Sequence, residues 1–210
     1  GQIALTLSHE SQAYHANIGV ESDLLISLCI NEAAFRNLEA LIEYLDMLSL
    51  IDVKGFYIII RRDGNNCSPQ IEPVILQNLM YLSYVLSTIN EYEVIFGYTD
   101  LVGIPLYATG ISAFACGWYN TLKEFSISRF QPSTGGRVAR KRYTSQQLIN
   151  SILIIPELDT ISRVDMLRQV LSNTNYDAVM QGNPANAVWP ADISCLHHWQ
   201  VLKNITSQID

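Results

Sequence analysis

The sequence predicts a mixed α/β protein in which parallel β-strands alternate with helices, and three observations support this class. Short runs of β-branched and aromatic residues, bounded by turn residues, occur at Phe56–Ile60 and Glu93–Tyr98. A stretch of helical periodicity separates them, and a third apolar run follows at Ile111–Cys116. Parallel neighbours need a long crossover connection, which is usually a helix. The region from Gly55 to Trp118 is therefore predicted to alternate strand, helix, strand, helix and strand.

The chain before Gly55 is predicted to add one strand and one helix. The apolar run Leu24–Ile30 is strand-like, and residues at helical spacing extend from an N-cap at Asn31 to about Leu50. Continuous apolar strands are typical of sheets covered on both faces, so we expect both faces of this sheet to be buried. The first twenty residues show no clear periodicity and receive no assignment.

Two further helices are predicted between the later strands. Pro73 suits the first turn of a helix that runs to Ile89. Asp100 is predicted to cap a short helix that Gly110 terminates.

The alternation stops after Trp118, and the C-terminal part is predicted to be mainly helical. We divide the chain into an α/β core at residues 1–143 and a helical region at residues 144–210, packed on the same domain. Three helices are predicted there, at Gln146–Ile154 with Thr144 as N-cap, at Asp159–Leu171 and at Asp192–Ser207, with an irregular stretch at Asn173–Pro190.

The predicted units fit part of a TIM-barrel-like (β/α) domain, which we favour over a small doubly wound sheet. A full barrel takes about 250 residues, and this chain of 210 residues shows three or four strand–helix units. The chain begins at Gly1 without Met, so half of a barrel cut from a longer chain is one open alternative, beside a barrel whose remaining strands the sequence does not reveal. Both architectures remain open from the sequence.

Composition limits the function classes. With 49% hydrophobic and 16% charged residues, the chain can form a sizeable core, and either a deeply buried sheet or a partner-covered surface explains the low charge. The net charge of −7 argues against coating nucleic acid by bulk electrostatics. No apolar run is long enough for a membrane span, and four scattered cysteines favour a reducing compartment. We therefore expect a cytoplasmic protein that does not bind membranes.

Ligands of parallel α/β folds bind at the carboxyl ends of the strands, and polar side chains follow each predicted strand. Asp63 and Asp100 are the predicted catalytic carboxylates, a pair suited to glycosyl chemistry. A guanidinium can clamp an anion and an aromatic ring can stack on a base. The predicted ligand-binding residues are Arg61, Arg62, Tyr98, Trp118 and Asn120, with Cys116 beside them. The alternative is ordinary turn and capping chemistry at Arg61–Asp63 and Asp100.

A basic segment is the second candidate, because six of the 13 basic residues fall between Lys123 and Arg142. A Ser/Thr/Gly-rich loop with five cations can bind phosphates of a nucleotide, RNA or DNA. The alternatives are a solvated loop or a contact with an acidic partner. The predicted phosphate-contacting residues are Arg129, Arg137, Arg140, Lys141 and Arg142.

The third candidate is Cys195-Leu196-His197-His198, since cysteine and histidine are good zinc ligands. No further ligand set accompanies them, so we interpret them as ordinary helix residues and predict no metal and no cofactor. The sequence also contains no nucleophile elbow, no dinucleotide-binding glycine motif and no P-loop.

Two patches resemble tRNA-guanine transglycosylases. Gly110–Cys116 resembles the strand that carries their nucleophilic aspartate, and Leu196–His198 resembles the region of their zinc-ligand histidine. The resemblance implies a zinc-bearing TIM barrel that exchanges a base on RNA. Ala115 stands at the nucleophile position, and the family's cysteine ligands have no counterpart. The resemblance therefore implies an enzyme of glycosyl- or base-transfer type or an inactive relative that keeps the scaffold.

Two functions follow as hypotheses. The first is an α/β barrel-type domain that binds or acts on a nucleotide or nucleic-acid-related ligand at the strand carboxyl ends. The second is a non-catalytic interaction or scaffold domain of a larger multi-protein assembly, with a protein partner or a second copy of the chain on its surface.

Overall fold

The computed structural model describes residues 2–19, 22–62, 71–117, 122–131 and 140–209, with the Arg129 side chain excepted. The chain divides into two compact units, residues 1–130 (unit 1) and residues 131–210 (unit 2). Unit 1 holds a four-stranded parallel sheet and unit 2 holds a two-stranded antiparallel hairpin. The α/β class with a parallel sheet is confirmed.

The sheet of unit 1 consists of β1 (Leu25–Asn31), β2 (Gly55–Arg61), β3 (Glu93–Gly97) and β4 (Ala113–Phe114). The strands lie in this order, and each is parallel to its neighbour. Within the part of unit 1 that the structure describes, the α-helices are α1 (Gln2–Ile18), α2 (Leu38–Leu48), α3 (Pro73–Tyr84) and α4 (Gly103–Tyr107). Helix α1 lies in the first twenty residues, for which no element is predicted from the sequence.

One face of the sheet packs against the helices. Apolar side chains of alternate strand positions share a core with residues of all four helices; they include Ile26, Leu28, Phe56, Ile58, Val94, Phe96, Leu5, Leu45, Leu79 and Leu106. Burying these side chains is the main stabilising contribution.

The opposite face of the sheet is only partly covered. Ser27 and Cys29 on β1 are exposed, and Tyr57, Ile59 and Ile95 are half-buried. The prediction of burial on both faces is therefore wrong. Ile59 and Ile95 on this opposite face make the apolar runs in the sequence continuous, although the structure leaves both side chains only half-buried.

Two predicted helices of unit 1 differ in their boundaries or capping from the helices of the structure. The helix expected from Asn31 to Leu50 is broken at Asn37, because Asn31 and Asn37 each cap a separate segment, a 3-10 turn at Glu32–Arg36 and then α2. Asp100 is not an N-cap: it lies inside a 3-10 turn, Asp100–Val102, that precedes α4, with φ of 49°.

Unit 2 begins with β5 (Arg142–Ser145) and β6 (Asn150–Leu153) and continues with α5 (Asp159–Arg163), α6 (Leu167–Val170) and α7 (Ala191–Thr206). The predicted helix at Gln146–Ile154 is wrong, because Thr144 lies in a strand whose register pairs it with Ser151. The predicted helix at Asp159–Leu171 is interrupted where Asp165 adopts φ of 57°. A core around Tyr143, Leu158 and Trp189 holds the unit together.

No helix within the described residues is both long enough and apolar enough to cross a membrane.

Candidate functional site

The strand carboxyl ends of unit 1 meet at one edge of the sheet. The register pairs Asn31 with Arg61, and the backbone N–H of Thr99 donates to the Ala115 carbonyl at 3.1 Å. Parallel pairing therefore brings together the ends of β1 to β4. Of the predicted residues, Arg61, Arg62, Tyr98, Asp100 and Cys116 lie at this edge; Asp63, Trp118 and Asn120 lie outside the described residues.

The segment Leu122–Phe130 returns to the same edge. Phe125 forms an isolated parallel bridge with Arg61, and its carbonyl accepts a hydrogen bond from the backbone N–H of Arg62 at 2.9 Å. This contact places Lys123 and Glu124 beside the strand ends. From the sequence, Lys123 is predicted only as the first residue of the basic segment and not as a residue of this edge.

Asp100, Lys123 and Cys116 form the first cluster at the edge. The Lys123 ammonium Nζ lies 3.5 Å from Asp100 Oδ2, and the two side chains are 17% and 8% exposed. Burial raises the pKa of the Cys116 thiol, the Asp100 carboxylate raises it further, and Lys123 lowers it. Cys116 is therefore held as a neutral thiol rather than as an activated nucleophile.

The backbone entering this cluster is in an unusual conformation. Tyr98 and Asp100 both have positive φ, 58° and 49°, which costs free energy for side chains that carry a Cβ. Thr99 between them is buried, and its Oγ1 has no hydrogen-bond partner among the described residues. Strained backbone and a buried polar atom with no such partner are more frequent at functional sites than in the rest of a fold.

Arg62 lies between two carboxylates in a second cluster. Its Nε donates to Glu32 Oε2 at 3.1 Å, and its Nη1 lies 3.7 Å from Glu124 Oε2. These ion pairs join the ends of β1 and β2 to the returning segment. The sequence predicts Arg62 as an anion clamp, and in the structure the contacts of this guanidinium include both carboxylates.

A row of three aromatic rings extends from the end of β3 to the returning segment. The Tyr98 and Phe125 ring centroids are 5.6 Å apart, and those of Phe125 and Phe130 are 5.9 Å apart. Phe130 is 76% exposed and ends the row at the surface. The row therefore offers an aromatic face next to the charged clusters. Phe125 and Phe130 were missed because a lone phenylalanine in a loop carries no sequence signal.

The basic segment is only partly described. Arg140 and Lys141 are exposed, whereas Arg142 belongs to β5 and donates from Nη1 to the Ser151 carbonyl at 2.9 Å. Arg137 and the side chain of Arg129 lie outside the described residues. The Arg142 guanidinium therefore makes its contact within the hairpin.

The His197–His198 pair lies in the buried interior of unit 2. His197 Nε2 faces the Thr144 carbonyl at 2.9 Å and its Nδ1 faces Thr174 Oγ1 at 2.8 Å, while His198 Nδ1 faces Thr144 Oγ1 at 2.8 Å. Both ring nitrogens of His197 thus have partners within the protein. Within the described ranges, no group of three or more His, Cys, Asp or Glu side chains is arranged to hold a metal ion.

A separate cleft of about 590 Å³ opens on unit 2. Its lining is mostly polar, with Leu167 and Leu171 as apolar members; the others are Ser162, Asp165, Arg168, Asn173, Gln181 and Gly182. Ligand pockets of this size are usually mostly apolar, so the lining favours an open, hydrated groove.

Comparison of the chain with protein-family models, with curated proteins and with solved structures gave no match.

Proposed function

We propose that unit 1 binds a nucleotide or nucleic-acid-related ligand at the carboxyl edge of its sheet. The observation that carries this proposal is the aromatic row Tyr98–Phe125–Phe130 beside the clusters of Arg62 and Lys123. Aromatic rings next to cations are what a single-stranded nucleic acid or a base needs for stacking and charge neutralisation. The exposed ring of Phe130 is the proposed stacking platform.

The charges at this edge favour a ligand that carries both anionic and hydrogen-donating groups. Arg62 and Lys123 supply positive charge, while Glu32, Glu124 and Asp100 supply negative charge at the same edge. A nucleotide has both kinds of group, since phosphate oxygens accept from cations and ribose hydroxyls donate to carboxylates. A simple inorganic anion would meet the carboxylates unfavourably.

We further propose that the sheet is part of a (β/α) barrel. The strands lie in consecutive order, and all four helices contribute to the core on one face of the sheet. A doubly wound sheet instead reverses its strand order and carries helices on both faces. The partly exposed face with Tyr57 and Ile95 would then be the barrel interior.

The proposed chemistry is glycosyl or base transfer, as the resemblance to tRNA-guanine transglycosylases implies. Of the two carboxylates expected to act, Asp100 is nearly buried and pairs with Lys123. This placement favours a positioning role for Asp100, in which it orients the Lys123 ammonium at the edge, and leaves Asp63 as the proposed catalytic carboxylate.

The proposal is tested by fluorescence anisotropy with labelled short single-stranded RNA and DNA and with a labelled nucleotide. Phe130→Ala removes the exposed ring at little cost to the core. We expect it to weaken oligonucleotide binding on the order of tenfold, because one base–aromatic stack contributes about 1–3 kcal/mol.

Tyr14→Ala is the matched control, since Tyr14 is a similarly exposed ring, 68% exposed, on α1. Its affinity is expected to stay within about twofold of the wild type. A wild-type chain that binds none of the three probes, or a Phe130→Ala variant that binds as tightly as Tyr14→Ala, would overturn the proposal.

A second candidate is a non-catalytic interaction or scaffold domain. The observation that favours it is the partly exposed second face of the sheet, since parallel sheets normally have both faces covered. Cys29→Arg on β1 places a charge on that face. If the chain is an interaction or scaffold domain, Cys29→Arg is expected to abolish binding of a protein partner in a pull-down, or self-association measured by light scattering, and to leave oligonucleotide affinity unchanged. If unit 1 instead functions in ligand binding, the wild-type chain shows no such association through this face.

A further inference from the structure

Helix α1 is weakly supported by the rest of unit 1. Its buried residues are Leu5 and Ser8, and Ala4 packs partly against the same core. An isolated helix of about this length is marginal in water, and packing of one face normally supplies most of its stability. Ion pairs along the helix cannot replace that packing, because Glu10 is the one residue of α1 that is Asp, Glu, Lys or Arg.

The solvent-facing side of α1 carries an apolar stripe, defined as Ile3, Leu7, Tyr14 and Ile18 (the α1 stripe). These side chains are between 47% and 78% exposed. They are four, seven and four residues apart, which places them on one side of a helix with 3.6 residues per turn. More large apolar side chains of α1 therefore face solvent than face the core.

The α1 stripe is symmetric about its own midpoint. Reversing the direction of the helix exchanges Ile3 with Ile18 and Leu7 with Tyr14, because both pairs are centred between positions 10 and 11. A two-fold axis at that midpoint sets two copies of the helix side by side with opposite directions. Each contact then occurs twice, as in the isologous interface of a two-fold dimer.

Antiparallel pairing suits the stripe better than parallel pairing. It sets the large ring of Tyr14 against Leu7 of the second copy, whereas parallel pairing sets tyrosine against tyrosine. Large residues pack best opposite smaller ones. Antiparallel pairing also brings the positive end of each helix dipole next to the negative end of the other.

The area of the α1 stripe fits a weak dimer. At about 200 Å² for each fully exposed side chain, the exposed fractions correspond to roughly 500 Å² per copy and 1,000 Å² for the pair. This total is at the lower limit for a specific interface. We therefore expect a dimer that dissociates on dilution.

The charge of the helix favours a second copy over a membrane. Helices that lie on anionic membranes are rich in Lys and Arg, and α1 contains neither. The net charge of −7 is also repelled by anionic headgroups. Two copies of α1 bring only their Glu10 carboxylates together, and salt screens that repulsion.

We propose that the α1 stripe is a dimer interface on which a second copy of this chain packs antiparallel. This interface goes beyond the proposed function, because the stripe contains no residue of the strand carboxyl edge. Dimerisation and ligand binding can therefore be tested separately. Tyr14→Ala is expected to weaken the dimer and to leave the affinity of unit 1 for a nucleotide unchanged.

The first test measures the dissociation constant of the full chain by sedimentation velocity over a range of concentrations. Leu7→Lys places a charge in the stripe twice per dimer, and we expect it to raise the dissociation constant at least tenfold. Leu148→Lys is the matched control, since Leu148 is about as exposed as Leu7 but lies between β5 and β6. Cys29→Arg, on the face of the sheet opposite the helices, should also leave the dimer intact.

The second test uses Glu10 to decide the direction of pairing. Glu10 and Ser11 lie on opposite borders of the stripe at its midpoint. Antiparallel pairing sets Glu10 beside Glu10 of the second copy, whereas parallel pairing sets it beside Ser11. Mixing Glu10→Lys with ¹⁵N-labelled wild-type chain should therefore give more than the statistical half of heterodimer in native mass spectrometry, since opposite charges replace like charges.

Circular dichroism checks that each variant keeps its helices, and the Glu10→Lys mixture decides if Leu7→Lys does not fold. A wild-type chain that is monomeric at every concentration, a Leu7→Lys variant that dimerises as Leu148→Lys does, or a heterodimer fraction of one half would overturn the proposal. A monomeric wild-type chain that sediments with phosphatidylcholine–phosphatidylglycerol vesicles would instead assign the stripe to a membrane.

Discussion

Nζ of Lys123 lies 3.5 Å from Oδ2 of Asp100 in a largely buried ion pair at the strand carboxyl edge. The pair joins the end of β3 to the segment that returns to the sheet after β4. It also sets the electrostatic environment of Cys116, whose thiol responds to both charges. Lys123 and Asp100 can therefore be probed through the reactivity of this cysteine.

We expect Asp100→Asn to speed alkylation of Cys116 by iodoacetamide at pH 8, and Lys123→Met to slow it. Burial is the main cause of the raised pKa of Cys116, and the Asp100 carboxylate raises it further, so removing that charge increases the thiolate fraction. The expected change is on the order of two- to tenfold, since one pKa unit is a factor of ten. Site-resolved mass spectrometry gives the rates, and exposed Cys29 serves as the internal control. Equal rates in both variants would contradict the cluster geometry.

Gly55→Ala should strongly destabilise unit 1. A Cβ at Gly55 would overlap the backbone carbonyl of Glu93, and backbone in a paired strand cannot move aside as a flexible side chain can. We expect a loss of about 3 kcal/mol or more in the free energy of unfolding, measured with urea. Gly182→Ala is the control, because a Cβ there meets no atom within 4 Å. Similar midpoints for the two variants would show that β2 and β3 do not approach as described.

Asn37→Ala should cost about 1 kcal/mol in the free energy of unfolding, whereas Asn37→Ser should cost only a few tenths. The Asn37 side chain accepts from the backbone N–H of Ala40 at 3.1 Å and so caps α2. Serine can make the same bond and alanine cannot. Equal losses for the two variants would argue against the break between the 3-10 turn and α2.

Neutralising Arg140 and Lys141 together should weaken single-stranded RNA binding and reduce its salt dependence. Each phosphate contact contributes about 0.7 to the slope of log affinity against log salt. The slope of the Arg140→Gln/Lys141→Gln variant should therefore be shallower by about 1.4. Its unfolding midpoint should not change, because both side chains are exposed. Arg142→Gln should instead destabilise the hairpin, since that guanidinium donates to the Ser151 carbonyl.

Lys203→Gln is the matched control for charge alone, as Lys203 is exposed on α7. If the double variant and Lys203→Gln give the same salt slope, the basic segment does not contact phosphates.

The strands of unit 1 were predictable because their signal is local. Phe56–Ile60 and Glu93–Gly97 combine β-branched and aromatic residues with turn residues at their ends, and no competing periodicity overlaps them. The prediction of a helix at Gln146–Ile154 was wrong because the signal there is not local. Tyr143 and Thr144 favour a strand, but only the partner strand and the burial of Tyr143 against Trp189 decide between strand and cap.

The candidate site was predictable only where it follows strands directly. Arg61, Arg62, Tyr98, Asp100 and Cys116 were found because polar residues after a parallel strand lie at the ligand edge. Glu32 also follows a strand directly, β1, but the sequence placed it in the helix predicted from Asn31. Lys123 and Phe125 come to that edge through the returning segment. No spacing rule connects these residues to the strand ends, since their contacts are set by the path of the chain.

By itself, the sequence determined the class of the protein: apolar runs of strand length, separated by helical periodicity, can bury their side chains efficiently only in a parallel α/β sheet. The tertiary structure alone decided which face of that sheet is covered and which charges meet at its edge. It also decided that His197, Thr174 and Asp177 contact one another in the interior of unit 2. The physical reason is that periodicity records the burial of each residue along the chain, whereas partners distant in sequence are chosen by packing in three dimensions.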